Sequence, residues 1–407
     1  MTIDSDVIVV GGGPCGSFAA LNIAEHGAGV TVFEEHNEVG VPSHCPGHLS
    51  IKGLRDLGLY PLPEGIVENS FAGAIFHSPN GKRFSVRLSS PVTCAVNRAL
   101  FDRHIANLAE DAGVRYCLGK RVESLIIENG VVEGVSVSQA GREERFSAKL
   151  VVDAEGVSSR LLRQTGLTLL SQRRIVSGVD AEIEYVNDAE SDMVEVFLGK
   201  EFAPGFYAWL VPICNGRAKV GLAANSGNPK EFLRKFIEEH PVASKKLGKA
   251  KVSKMAFHPI TLGGMIPRAY SDGFLAVGDV ASQVKPTTGG GVVLGMNCGK
   301  VAAEVACTAL RERDFSAELL GAYQKRCKEF LSFDLRFMLR ARKLLDSMPD
   351  EKLDQTVELC AKLGLEKALQ RVGDIDFQGR SFLRALGNPR MLAVLGCFFY
   401  FFLSANP

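Results

Sequence analysis

What the chain lacks narrows it first. Its 10 cysteines include no C-x-x-C pair, and the nearest two, Cys298 and Cys307, stand nine positions apart. That spacing excludes zinc ribbons and dithiol redox motifs, and the dispersed thiols suit a reducing compartment. No uninterrupted run of about 18 apolar residues occurs, so the sequence predicts no membrane-spanning helix. Neither sign of charge is in excess: 47 Lys+Arg against 46 Asp+Glu leaves +1. A near-neutral chain does not bind nucleic acid through a globally basic surface. The opening Met1-Thr2-Ile3-Asp4-Ser5-Asp6 has no basic segment ahead of an apolar one, so no secretory leader is expected and the chain reads as cytoplasmic. Repeats and low-complexity linkers are also missing. Tryptophan is nearly so, with Trp209 alone.

What is there is a 407-residue chain, 46% hydrophobic and 23% charged, long enough for two or three domains with ample core. One segment departs from that ordinary composition. Met391 to Leu403 is apolar and carries Phe398, Phe399, Phe401 and Phe402 beside Tyr400. Asn388 suits an N-cap and Pro389 a first helical turn, so the spacing predicts a helix that is apolar all round. Such a helix is either buried or seated shallowly in a membrane surface.

The first thirty-five residues are the most informative. Asp6 to Val10 is a short continuous apolar run, as a fully buried parallel strand requires. Gly11-Gly12-Gly13-Pro14-Cys15-Gly16 follows, then helical spacing from Ser17, then the strand Val30 to Phe33, closed by Glu34. This is strand, G-x-G-x-x-G, helix, strand, acid. Gly11 permits the turn, Gly13 lets a pyrophosphate approach the backbone, and Gly16 lets helix and strand pack closely. The helix start faces the phosphates with its positive end, and Glu34 is placed to accept from a ribose.

Further on, Asn97 to Gly113 reads as a helix, and Val114–Tyr116, Val122–Ile127 and Gly130–Ser138 as strands. Leu150-Val151-Val152-Asp153 runs into the turn Ala154-Glu155-Gly156. From Ile175 to Ala224 the pattern alternates with Gly and Pro punctuation, which predicts an antiparallel sheet. Phe274 to Asp279 returns to a buried parallel strand, Gly289-Gly290-Gly291 opens a long helix, and from Ser316 the chain reads helical. The layout is α/β: a discontinuous dinucleotide-binding domain interrupted by a sheet domain. The N-terminal unit and Gly278-Asp279 must then meet around one ligand.

At this point the residues resemble a known group, the FAD-dependent oxidoreductases of the glutathione-reductase-like, p-hydroxybenzoate-hydroxylase type. Three signatures carry the resemblance in order. They are Gly11, Gly13, Gly16 and Glu34; Asp153-Ala154-Glu155-Gly156 with Ser159 and Arg160; and Gly278-Asp279-Val280-Ala281 with Pro286 and Gly289 to Gly291. Arg98, with Phe101 and Asp102, matches an R-x-x-F-D element that lies near the cofactor in that group. The resemblance implies FAD, with Asp279 at the ribityl chain and the Gly289–Gly291 helix start facing the flavin pyrimidine. There bare N–H groups stabilise negative charge on a reduced flavin. The cofactor set it implies is Gly11, Gly13, Pro14, Cys15, Gly16, Glu34, Glu35, Cys45, Arg98, Asp153, Gly156, Gly278, Asp279, Pro286, Gly289, Gly290, Gly291 and Val292. It also implies an FAD-binding domain over 1–67, 92–170 and 265–315. The antiparallel-sheet substrate domain would cover 68–91 and 171–264, and a helical C-terminal region 316–407.

A narrower resemblance is to the archaeal geranylgeranyl reductases, which saturate prenyl chains of membrane ether lipids. That group carries Y-x-W-x-F-P followed by G-x-G. Here the stretch is Tyr207-Ala208-Trp209-Leu210-Val211-Pro212, then Gly221-Leu222-Ala223, with Val211 and Ala223 departing from the pattern. A loop bearing proline and cysteine, Pro42-Ser43-His44-Cys45-Pro46-Gly47, matches too. The resemblance implies a prenylated ether-lipid substrate lying along Tyr207, Trp209 and Pro212, with Cys45 as proton donor and His44 or Tyr207 as alternatives. The rings of Tyr207 and Trp209, two apart on a strand, share one side. They either fill a core or wall an apolar tunnel. His44, Cys45 and His48 are too sparse for a metal site, and none is expected. Electrons would come from ferredoxin or NAD(P)H, an acidic ferredoxin being received by the basic stretches Lys245–Lys254 or Arg336–Lys343. Two other readings stand beside this one. One is a flavin monooxygenase or halogenase of an aromatic substrate, whose W-x-W-x-I-P segment Tyr207-Ala208-Trp209 matches only in part. The other is a non-enzymatic prenyl-lipid carrier of the same fold, like the Rab-escort proteins, against which intact Gly13, Glu34 and Asp279 argue.

Overall fold

A computed structural model describes residues 5–139, 142–369, 374–389 and 391. The chain groups into two units. The first holds residues 1–43, 98–174 and 261–335, and the second 44–97, 175–260 and 336–407.

The first unit is built on a parallel sheet. Its core order is Phe274–Ala276, Arg142–Asp153, Ser5–Val10, Val30–Phe33 and Arg115–Cys117, every pair parallel. Val7, Val9, Val32, Leu150, Val151 and Val152 are fully buried, which is why these strands read as unbroken apolar runs. The Arg142–Asp153 strand is longer than the expected one. Its first half pairs antiparallel with Val131–Gln139, which pairs with Arg121–Glu128, and its second half joins the parallel sheet. Over this sheet the helix Pro14–Ala24 packs on Val292–Glu312. The latter is long and apolar enough, by length and composition, to cross a membrane, but it is mostly buried within the fold, and Lys300 and Glu304 interrupt its apolar run. Its small residues lie against the first helix: a Cβ on Gly299 would come 3.4 Å from the Ala19 Cβ.

The second unit contains a seven-stranded sheet in the order Lys251–Thr261, Ile175–Glu184, Ala218–Ala224, Ala208–Pro212, Met193–Phe197, Gly73–His77, Arg83–Arg87. From Ile175–Glu184 to Met193–Phe197 the neighbours are antiparallel, as expected, whereas Met193–Phe197 runs parallel to Gly73–His77. The hairpin 73–87 arrives from a distant part of the chain, and only such a long connection allows a parallel pair. Alternation sorts the side chains. Val179, Phe197, Leu210, Val220 and Leu222 face one way and pack against Leu233 and Phe236 of the helix Pro229–Glu239. Also on that side is a buried ionic cluster. Glu195 accepts from His77 Nε2 at 2.7 Å and from Lys246 Nζ at 2.6 Å. Burial pushes the Glu195 carboxyl up, but these two donors outweigh it and hold it below its usual range. Buried charges are tolerated only when partnered in this way.

The observed grouping departs from the expected boundaries. Residues 44–67 and 92–97 fall with the second unit because His48–Ser50, Thr93–Val96 and Val67–Phe71 make a three-stranded sheet of their own. The helical region also divides. The helix Ala317–Ser347 contributes its residues up to Leu335 to the first unit, where Tyr323 bonds the Ala276 carbonyl at 2.8 Å. The expected apolar helix over Met391–Leu403 lies outside the described residues except for Met391, which is buried with Cys360, Leu365 and Ala385.

Candidate functional site

The glycine fingerprint closes as its spacing predicts. Gly11 has φ +98°, and a Cβ there would come 2.4 Å from the Ala154 carbonyl oxygen. One on Gly16 would come 2.0 Å from the Gly11 oxygen, closer than any real contact. Strand, turn and helix therefore touch through bare backbone. The Gly12 N–H donates to Glu34 Oε2 at 2.8 Å, while Glu34 Oε1 accepts from His36 N at 2.9 Å and from the His36 ring at 2.6 Å. Glu34 thus pins the phosphate loop itself, so a ribose would share a carboxylate already in use. Glu35 is exposed and lies 3.6 Å from Arg121. Pro14 occupies the first helical turn. Cys15 turns away from the loop: its sulfur packs where Cβ atoms on Gly278 and Gly295 would stand, and burial pushes the thiol up.

The two distant segments do meet within the first unit. The Val277 N–H donates to the Asp153 carbonyl at 2.9 Å, which sets the turn Gly278–Ala281 beside Ala154 to Gly156. Gly278, at φ +82°, gives its N–H to Gln283 Oε1 at 2.7 Å, and Gln283 donates to Tyr323 at 2.6 Å. Neither Gln283 nor Tyr323 was foreseen, since no local motif marks a brace supplied from a later helix. Arg98 is held by Asp102 through two bonds of 2.9 and 2.8 Å. Burial raises the Asp279 carboxyl, and the Arg98 charge pulls it back. Asp279 Oδ1 lies 2.6 Å from where a Cβ on Gly291 would be.

Three observations decide whether these residues fit FAD. Space is open over Gly13, where a Cβ would meet nothing within 4 Å. The helices Pro14–Ala24 and Val292–Glu312 begin at Gly13 and Gly291 with no side-chain cap, leaving their first N–H groups for an anionic partner. Asp153 is fully buried with Oδ2 unpartnered among the described residues, and burial raises its carboxyl well above the usual range. A dinucleotide's pyrophosphate and polyhydroxyl chain match such a set. Pro286, Gly289 and Gly290 belong to the same turn, where Lys285 folds over Gly290.

The expected substrate and proton-donor residues all fall in the second unit. His44 is exposed and Cys45 half-buried, its sulfur accepting from Gly47 N at 3.4 Å. The next carbonyl, that of Pro46, is held at 3.1 Å by Lys219, which also binds Val96 O at 3.1 Å and Glu68. Lys219 was not foreseen, although a lysine inside an apolar strand is a legible signal. The rings of Tyr207 and Trp209 meet edge-on at 5.9 Å, and Phe206 stacks on Tyr207 at 4.4 Å. Burial pushes the Tyr207 phenol well up, so it holds its proton. Both rings share the sheet face opposite the Phe236 core, with Gly221 beneath the indole: a Cβ there would come 2.5 Å from Trp209 Cζ2. Pro212 closes the strand and is buried. The basic stretches are less available than expected. Lys246 is buried on Glu195, and Arg342 bonds Asp346 at 2.8 Å over the Phe206 ring.

Comparison with known proteins agrees with this geometry. Residues 4–333 match the family described as FAD binding domain. The digeranylgeranylglycerophospholipid reductase 2 of Methanopyrus kandleri is 34% identical over 88% of this chain and 90% of its own. The digeranylgeranylglycerophospholipid reductase of Methanocaldococcus jannaschii is 34% identical over 90% and 94%. A geranylgeranyl bacteriochlorophyll reductase-like protein from Thermoplasma acidophilum superposes with TM-score 0.85 at 27% identity, covering 97% of this chain and 99% of that one. The flavin-dependent brominase Bmp2 shares the fold, with TM-score 0.73 at 19% identity over 98% of both chains.

Because Gly16 has no room for a side chain, Gly16→Val is expected to purify with less than about a tenth of the wild-type flavin, read from absorbance per protein. Wild-type flavin content in that variant would contradict the assignment.

Proposed function

The chain belongs to the family of digeranylgeranylglycerophospholipid reductases, within the wider FAD binding domain family, and on that premise we propose how it works on its lipid. It is an FAD-dependent oxidoreductase that saturates the isoprenoid double bonds of geranylgeranyl chains in archaeal-type membrane ether lipids. The observation that carries this reading beyond the family is the pair of aromatic rings, Tyr207 and Trp209, that meet edge-on beside the bare backbone of Gly221. It suits a branched hydrocarbon that offers no hydrogen bonds.

An isolated trisubstituted alkene takes up one hydride and one proton, and has no neighbouring carbonyl to stabilise a carbanion. Bound FAD supplies the hydride when reduced. The chain's own residues must exclude water, seat the double bond and hold the proton. Tyr207 and Trp209 do the first two. Cys45 is the leading proton donor: it is half-buried and its loop is fixed by Lys219 at Pro46, whereas Tyr207 is too weak an acid and His44 is exposed.

Electrons arrive from ferredoxin or NAD(P)H. Exposed Lys245, Lys249, Lys251 and Lys254 favour an acidic ferredoxin. The reaction takes place at the cytoplasmic membrane surface, where the lipid is and where the Met391–Leu403 segment supplies apolar contact.

Under nitrogen, the dithionite-reduced holoenzyme is expected to regain its oxidised flavin spectrum when mixed with unsaturated lipid; reoxidation only by oxygen would favour a monooxygenase or halogenase. In the same assay Cys45→Ser is expected to lose about 10²-fold or more in rate, and full turnover would remove Cys45 from the mechanism. Ferredoxin-driven reduction should slow steeply as salt rises from low to physiological ionic strength. A salt-independent rate, matched by NADPH, points to the nicotinamide. Deleting residues 389–407 is expected to abolish flotation with archaeal-lipid liposomes, and unchanged flotation defeats the membrane contact.

A further inference from the structure

On the ring-bearing face of the sheet, three strands set Trp209, Gly221 and Asp180 in one cross-strand row. Trp209 pairs with Gly221, and Gly221 with Asp180. Neighbouring strands are about 4.8 Å apart, so the indole spans two strand spacings by lying across Gly221. Its Nε1–H then donates to Asp180 Oδ1 at 3.1 Å, with both residues buried. On the other side of Trp209 the same row continues through Val196, Phe76 and Phe84. The row is therefore apolar as far as the indole and then reaches a single buried carboxyl.

That carboxyl has no structural excuse. Among the described residues no cation stands within ion-pair distance of Asp180, and its hydrogen bond is to the indole alone. The groups facing it are Lys219 on the next strand, Glu182 on its own, and, on the strand at its other edge, Lys254 and His258, whose ring nitrogen lies 3.1 Å from where a Cβ on Gly178 would stand on the same face. Burying a carboxylate without a paired cation costs several kcal/mol. A merely structural partner for an indole N–H could be an amide or a backbone carbonyl.

We propose that Asp180 is a positioning residue of the alkene-binding wall: by holding the indole across Gly221 it sets where Trp209 stands, and so how far a prenyl chain enters. The inference rests on the reductase reading for the chain that lies there, but not for the bond itself. Tyr207 meets the indole edge-on, so the ring pair moves as one, and sub-ångström changes in seating alter reaction rates strongly. Burial raises the Asp180 carboxyl to about 7, against the opposing pull of Trp209 and Lys219. The bond to Trp209 is charge-assisted above that pH and weaker below it.

Trp209 is the single tryptophan, so its emission reports on this bond directly. In the holoenzyme, wild-type emission is expected to titrate with a midpoint near pH 7 and that of Asp180→Asn to stay flat across the same range. Asp180→Leu, with no acceptor, is expected to shift the emission and lower kcat on digeranylgeranyl lipid about tenfold or more at unchanged FAD content. Asp180→Asn, which keeps an acceptor, should recover most of that rate. Emission and kcat of Asp180→Leu equal to wild type would overturn the proposal, as would Asp180→Asn as slow as Asp180→Leu. If Asp180→Leu does not fold, Trp209→Phe decides, since it keeps a ring without an N–H. It must show a similar rate loss and no break near pH 7, and a wild-type rate and pH profile would overturn the proposal. Wild-type holoenzyme that never reduces the lipid sinks the reductase reading, while the emission titration still judges Asp180.

Discussion

The first unit depends on one close approach. The Gly11 carbonyl occupies the place where a side chain on Gly16 would begin, and the Ala154 carbonyl occupies that of Gly11. Three backbones meet there with nothing between them. That contact sets the uncapped start of the Pro14–Ala24 helix, the Glu34 carboxylate on the Gly12 N–H and the Asp153 turn around one point. Any Cβ would separate them, and the phosphate-binding geometry would be lost with it. The Gly278 turn joins through the Asp153 carbonyl, and Gln283 and Tyr323 hold it from behind.

The second unit uses the same device for a different purpose. Gly221 lacks a side chain so that an indole, rather than a phosphate, can lie on the backbone. The sheet then separates its two faces by alternation. One is a closed core with a fully partnered ionic cluster at Glu195, and the other presents rings and small residues. Ala223 stands where the reductase pattern has a glycine, and it lies next to Tyr207, whose carbonyl accepts from its N–H at 3.4 Å.

Much of this was legible in the sequence, for identifiable reasons. The fingerprint, Asp153 and Gly278-Asp279 are local patterns in which each residue type has a geometric role, so they could be read without neighbours. Trp209 and Gly221 were legible as a motif, though not the reason for their spacing, which is a contact between adjacent strands. Asp180, Lys219, Gln283 and Tyr323 escaped because their significance lies in partners brought together from distant stretches by the sheets. Two members of the basic stretches differ for the converse reason: Lys246 and Arg342 look solvated in sequence and are buried on Glu195 and Asp346. The parallel pair Met193–Phe197 with Gly73–His77 was equally invisible, since alternation does not reveal strand direction.

The central claim is that reducing equivalents held by this chain end on the carbons of a prenyl lipid. Mass spectrometry of lipid recovered after anaerobic turnover in heavy water tests it most directly. The account predicts saturated chains that gain two deuterium atoms at each former double bond, one as the hydride, because a reduced flavin's N–H exchanges with heavy water, and one as the solvent deuteron. Lipid recovered with its unsaturation intact, while the reduced flavin is consumed, would contradict it.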